Sequence, residues 1–114
     1  MKQVEALEEQ LKNEKLRVER RDAILRLSKN ADFRKLIIED FCRNECARYT
    51  HESGDPSLSA EQRADALNIA QAAGHLKRFL NVNITMGDVA DRTIIDLNQA
   101  IEDARADEGL EEID

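Results

Sequence analysis

An all-α fold is predicted: an extended N-terminal helix able to form a coiled coil, followed by a small bundle of two to three helices. Three observations predict it. The opening stretch MKQVEALEEQLKNEKLRVERRDAILRLSK has neither Gly nor Pro and is rich in Glu, Lys, Leu and Arg, all strong helix formers. Apolar residues then return at helical spacing in every later segment, with no strand-like alternation long enough for a sheet. The chain also holds a single proline, Pro56, so breakers are few.

In the first segment Val4, Leu7, Leu11, Val18 and Leu25 form a heptad stripe, and Glu14 and Arg21 fill its two remaining positions. A charged seam residue costs stability and can set register or partner number. The narrow stripe predicts helix pairing with a second molecule, against a plain solvated helix packed on its own domain. Residues 1–29 are thus read as an oligomerisation segment, 30–107 as a helical bundle domain and 108–114 as an acidic tail that frays.

Asn30 or Asp32 can cap the second helix, read over about residues 32–51. Its apolar face is Phe33, Leu36, Ile37, Ile38, Phe41, Cys42 and Tyr49. Ser53–Gly54 ends it, with Gly54 suited to a left-handed closing position, and Asp55–Pro56 turns the chain. Ser59 and Gln62 form a capping box for a third helix, read from about residue 60 to 81 with Ala66, Ile69, Ala73, Leu76 and Leu80 as its stripe. Asn81–Asn83 then reads as a break and Thr85–Asp88 as a new cap. A fourth helix over about residues 86–106 would present Ala90, Ile94, Leu97, Ile101 and Ala104. The third and fourth could instead be one kinked helix through Val82–Thr85.

Composition narrows the function. The 114 residues carry 17 Lys and Arg against 24 Asp and Glu, a formal charge of −7, so a broad nucleic-acid footprint is disfavoured. The charge is uneven. Residues 1–29 carry eight basic and six acidic side chains, and residues 102–114 carry seven acids against Arg105 alone. No apolar run approaches a membrane span, and the charged start lacks the apolar stretch of a secretory signal. A reducing compartment is expected for the two cysteines.

Cys42, Cys46, His51 and His75 are the only Cys and His residues in the chain, and two thiolates with two imidazoles make a chemically reasonable zinc set. Residues four apart share one helix face. Yet Cys42 shares that face with Ile38 and Tyr49, where cysteine acts as a small buried hydrophobe, and no glycine knuckle accompanies the pair. Ordinary packing is the expectation, with no metal, no cofactor and no catalytic residue. The carboxylates sit on polar faces, without the apolar cleft that acid–base work needs. An enzyme is not expected.

The basic sector Arg17, Arg20 and Arg21, continued by Arg26, Lys29, Arg34 and Lys35, reads as a solvated face or a contact for an acidic partner. With Val4, Leu7, Leu11 and Val18, the residues Arg17, Arg20 and Arg21 are the expected interaction set. Three stretches, LSKNADFRKLIIEDFCRNECARYT, GDPSLSAEQRADAL and LKRFL, resemble small helical proteins encoded within head-gene modules of tailed bacteriophages. That resemblance implies a virion or assembly component working as a multimer, located in the particle or in the cytoplasm of the infected host. The expected partners are further copies of the chain and capsid, portal or scaffold proteins. The competing expectation is a small acidic regulatory module that binds and inhibits a host protein as a nucleic-acid mimic.

Overall fold

Helix α1 spans Lys2–Ser28. In this computed structural model the backbone is described for residues 2–113 and the side chains for residues 2–109. The α1 helix closes where the amides of Lys29 and Asn30 donate to the carbonyls of Arg26 and Leu27, at 3.1 and 3.0 Å. Asn30 then opens the next helix, its Oδ1 accepting from the Phe33 amide at 2.9 Å. Of the two expected caps, Asn30 does the work, because its side-chain oxygen meets an amide that the first turn leaves unpaired.

Helix α2 changes winding along its length: α-helical over Ala31–Phe33, π-helical over Arg34–Glu45 and α-helical again over Cys46–Ser53. The wider π turn bonds residues five apart and brings neighbouring pairs, Ile37 with Ile38 and Phe41 with Cys42, onto the covered side. Leu36, expected on that face, is 60 % exposed. Its misplacement follows from the winding, since an α-helical phase carried through this segment puts it one step too far inward.

The turn after α2 also departs from expectation. Gly54 sits at φ −103°, ψ 3°, outside the left-handed region, so its lack of a Cβ is not what closes the helix. Asp55 organises the turn instead. Its Oδ1 accepts from the Ser57 amide at 2.9 Å and the Ser57 hydroxyl at 2.7 Å, an Asx turn. Those two bonds, the hydroxyl first, hold the Asp55 carboxyl below its usual range. The lowered value means that this contribution is present at neutral pH and is lost as pH falls through it.

The capping box is formed as expected. The Gln62 amide donates to Ser59 Oγ at 3.1 Å, and the Ser59 amide donates to Gln62 Oε1 at 3.0 Å. Replacing the cap, Ser59→Ala, is expected to cost about 1 kcal/mol, read as a lower urea midpoint with an unchanged m-value.

Helix α3 runs from Ala60 to Ile113 without interruption. The expected break at Asn81–Asn83 is absent, and so is a separate tail after Gly109; Asp114 lies outside the described residues. Asn83 is 8 % exposed, and its Oδ1 accepts from Arg20 Nη1 at 3.4 Å. A residue that favours turns in isolation is thus held in a helix by a tertiary partner.

The residues cluster in two compact units, one made of the chain up to Ala23 and from Asn83 on, the other of Ile24–Val82. This division cuts across the partition at residues 29 and 107 read from the sequence. In the Ile24–Val82 unit Ile24, Cys42, Ala66, Ala70 and Ala73 are buried. Ala70 takes the place expected for Ile69, which is 39 % exposed. The alanines let α2 come close enough for Cys46 Sγ to donate to the Ala70 carbonyl at 3.5 Å.

The other unit is an antiparallel pair of α1 and the later part of α3. Val4 is buried with Ile101 and Ala104, and Leu7 and Leu11 pack on them. Further along, Glu8 meets Arg105, Arg20 meets Asn83 and Arg21 meets Asp88. Positions rising along α1 meet positions falling along α3, and the heptad stripe of α1 is closed within its own chain as far as Arg21; Leu25, expected to end it, is exposed, and Ile24 is buried in its stead.

Candidate protein-interaction face

Within this antiparallel unit the seam of α1 is Val4, Leu7, Leu11, Glu14, Val18 and Arg21, all buried or half-buried. On α3 it is Asn83, Gly87, Ala90, Ile94, Leu97, Ile101 and Ala104. The two charged interruptions of the heptad each have a local solution. Glu14 binds Arg17 Nη1 at 2.7 Å, with only 15 % of its side chain exposed.

Arg21 lies across Gly87. A Cβ built on Gly87 would stand 2.9 Å from Arg21 Cγ, 2.8 Å from its Cδ and closer still to its Cβ. The glycine is therefore a passage for the arginine side chain rather than a loop residue. Having crossed it, Arg21 Nη1 reaches Asp88 at 3.0 Å and also binds Asp91, while Asp22 holds Nη2 at 3.0 Å. The Asp91 hydrogen bond leads the interactions that hold the guanidinium proton above its ordinary affinity, against a smaller opposing effect of desolvation.

The seam leaves two flanks. One carries ion pairs, Glu8 with Arg105 at 2.7 Å and Arg21 with its two α3 aspartates. The other holds a groove of about 340 Å³ lined by Gln10, Asn13, Glu14, Arg17, Thr93 and Leu97. Helical spacing continues this second flank through Gln3 and Ala6 on α1 and through Met86, Val89 and Ala100 on α3. Met86 is 36 % exposed and Val89 46 %. The edge of α1 from Gln3 to Asn13 carries no charge on this side, and the charged residues of the groove are Glu14 and Arg17, which pair with each other.

The expected interaction residues are accordingly divided. Val4, Leu7, Leu11 and Val18 face α3 of the same chain. Arg17 and Arg20 border the second flank, and Arg21 is committed to the first. Met86 and Gly87 were read from the sequence only as part of the Thr85–Asp88 cap, and Val89 was not singled out; on the unbroken helix Gly87 falls in the seam with Ile94 and Ile101, and Met86 and Val89 fall beside it.

In the Ile24–Val82 unit Cys42 is buried, Cys46 is bonded to a carbonyl, and His51 and His75 are exposed. Among the described residues no three His, Cys, Asp or Glu side chains come together in a way that could hold a metal ion. The same unit has an open cleft of about 390 Å³, with Tyr49, Leu58 and Ile69 as apolar lining and Glu52, Asp55 and Asp65 around them. Glu52 is tied to Arg48 at 2.9 Å, and Arg48 stacks 4.3 Å over the Tyr49 ring. Asp55 is engaged in its turn.

Among the described residues no helix is long and apolar enough to cross a membrane. The fold defines an all-α protein. No protein-family model, curated protein or solved structure matches the chain.

Proposed function

We propose that this protein is a non-catalytic component of a tailed-phage particle or of its assembly, acting by binding other proteins through the second flank of the antiparallel unit. One observation carries the binding role: the α1 seam is already closed within the chain, yet Met86 and Val89 stand exposed beside a groove whose two charged lining residues, Glu14 and Arg17, are paired with each other. Interface centres are depleted of charged residues and rimmed by polar ones, and a trough between two helices accepts a third helix by its apolar face.

The phage setting comes from the resemblance of the Leu27–Thr50 and Gly54–Leu67 stretches. That resemblance supports a role among virion-associated proteins, in the particle or in the host cytoplasm during assembly. A photo-crosslinking residue in place of Val89 tests both parts. A covalent adduct with a capsid, portal or scaffold protein in purified particles or assembly intermediates is the expected result. Absence of the chain from both fractions would remove the proposal.

A further inference from the structure

Ile69 is left out of the core of the Ile24–Val82 unit and instead lines an open cleft between α2 and the start of α3, together with Tyr49, Leu58 and Ala66. We infer that this cleft receives an arginine side chain carried on a segment of another protein. The guanidinium would meet the carboxylates of Glu52, Asp55 and Asp65, and the methylene stem would lie on the apolar residues. The volume of about 390 Å³ falls within the range of sites that enclose a small ligand, about 300–1,000 Å³. The cleft belongs to a different unit from Met86 and Val89, and the inference does not depend on how their flank is read.

The sign of the lining selects a cation. Glu52, Asp55 and Asp65 line the cleft, and no Lys, Arg or His does. Two cations stand nearby: Arg48, committed to Glu45 at 2.6 Å and Glu52 at 2.9 Å, and Arg63, whose charge is felt at Asp55. Against them stand Glu45, Glu52, Asp55 and Asp65, so two negative charges are uncompensated. Acceptors are also to spare. Among the described residues Asp65 has no hydrogen-bond or ion-pair partner. Asp55 accepts only at Oδ1, from Ser57, and Glu52 accepts only at Oε1, from Arg48. The second oxygen of each is open to a donor.

The spacing of the carboxylates narrows the cation to a guanidinium. Among the described residues no three acidic side chains come together in a way that could hold a metal ion, so a point charge cannot satisfy them at once. A guanidinium spreads its charge and offers five N–H donors in a planar fork, whereas an ammonium is one compact, strongly hydrated charge. Arginine also stacks on aromatic rings. Arg48 displays this chemistry beside the cleft: it lies 4.3 Å over the Tyr49 ring while its two terminal nitrogens bind Glu45 and Glu52. Tyr49, Leu58, Ala66 and Ile69 suit the methylene stem, which arginine buries on apolar surface while its head stays among polar groups. The same negative lining repels phosphate, so the occupant is a protein segment rather than nucleic acid.

Tyr49 is the only tyrosine and the chain has no tryptophan, so the intrinsic fluorescence of the full chain reports from the cleft. Titration with the peptide acetyl-Leu-Arg-Leu-amide should give a saturable change, and the amide NMR signals that shift should cluster among residues 49–69. The same peptide with citrulline for arginine keeps the shape without the charge and should bind about tenfold more weakly. Asp65→Asn, at an exposed helix position, should weaken the arginine peptide about fivefold or more, and circular dichroism should show its helices intact. Asp107→Asn, in the other unit, should leave binding unchanged. Absence of a saturable response in both fluorescence and NMR overturns the inference, as does equal binding of the citrulline peptide. Equal losses for Asp65→Asn and Asp107→Asn also overturn it, since they would reduce the effect to general attraction by an acidic chain. The crosslink at residue 89 reads the other unit, so either proposal can fail while the other stands.

Discussion

Gly87→Ala is expected to lower stability by about 1–2 kcal/mol, although alanine normally improves a helix interior by up to about 1 kcal/mol over glycine. The added Cβ has no room: it falls within 2.9 Å of Arg21 Cγ and 2.8 Å of Cδ, and nearest to the Arg21 Cβ, which cannot swing away as a side-chain tip could. Overpacking of this kind costs about 1–3 kcal/mol, more than the helical gain. Two internal controls exist. Nothing lies within 4 Å of a Cβ built on Gly74 or Gly109, so Gly74→Ala and Gly109→Ala should each be neutral or stabilising by up to about 1 kcal/mol. Combining Gly87→Ala with Arg21→Ala should recover much of the loss, giving a non-additive double-mutant cycle in urea denaturation. A Gly87→Ala variant as stable as Gly74→Ala would show that Arg21 does not cross the helix at this point.

The second large effect is Ile101→Ala. Ile101 is 5 % exposed and packs with Val4 and Ala104 in the cluster that Leu7 and Leu11 cover. Truncation removes its buried methyl groups and leaves a void that flanking helices fill only in part. The expected cost is about 2–4 kcal/mol. Ile95→Ala, on the same helix but 69 % exposed, should change stability by no more than about 0.5 kcal/mol. Hydrogen exchange gives a second reading: in the Ile101 variant the amides of α1 before Ala23 should lose protection, because their helix has little else to cover its stripe. Equal costs for the two isoleucines would mean that α1 is not seated on this part of α3.

These two sites also mark the limits of what was legible beforehand. The stripe Ala90, Ile94, Leu97, Ile101 and Ala104 could be read residue by residue, because helical periodicity is a local property. So could the Asn30 cap and the Ser59–Gln62 box, each made within four residues. Asn83 was read as part of a break and Gly87 as part of a helix cap for the same reason: both favour turns locally, and Arg20 and Arg21 on another helix explain why they sit mid-helix. The π winding of Arg34–Glu45 was equally hidden. Its consequence, Leu36 turned outward, contradicts a count made on α-helical phase.

The candidate face was half legible. Arg17 and Arg20 were identified as part of an interaction set, but the apolar residues expected to accompany them, Val4, Leu7, Leu11 and Val18, belong to the internal seam. A heptad states that a narrow stripe must be covered; it does not state by which chain. Met86 and Val89 become interesting only once the seam residues beside them are known to be occupied.

By itself, then, the sequence determined that this protein is helical throughout, where several of its helices begin and which residues need cover, since propensity, capping and periodicity act over a few neighbouring residues. Only the tertiary structure decided that α3 runs unbroken, that its later part covers α1, and which flank leaves Met86 and Val89 exposed. Those outcomes depend on contacts between residues sixty to a hundred positions apart, such as Arg20 with Asn83 and Glu8 with Arg105, whose partners no local pattern names.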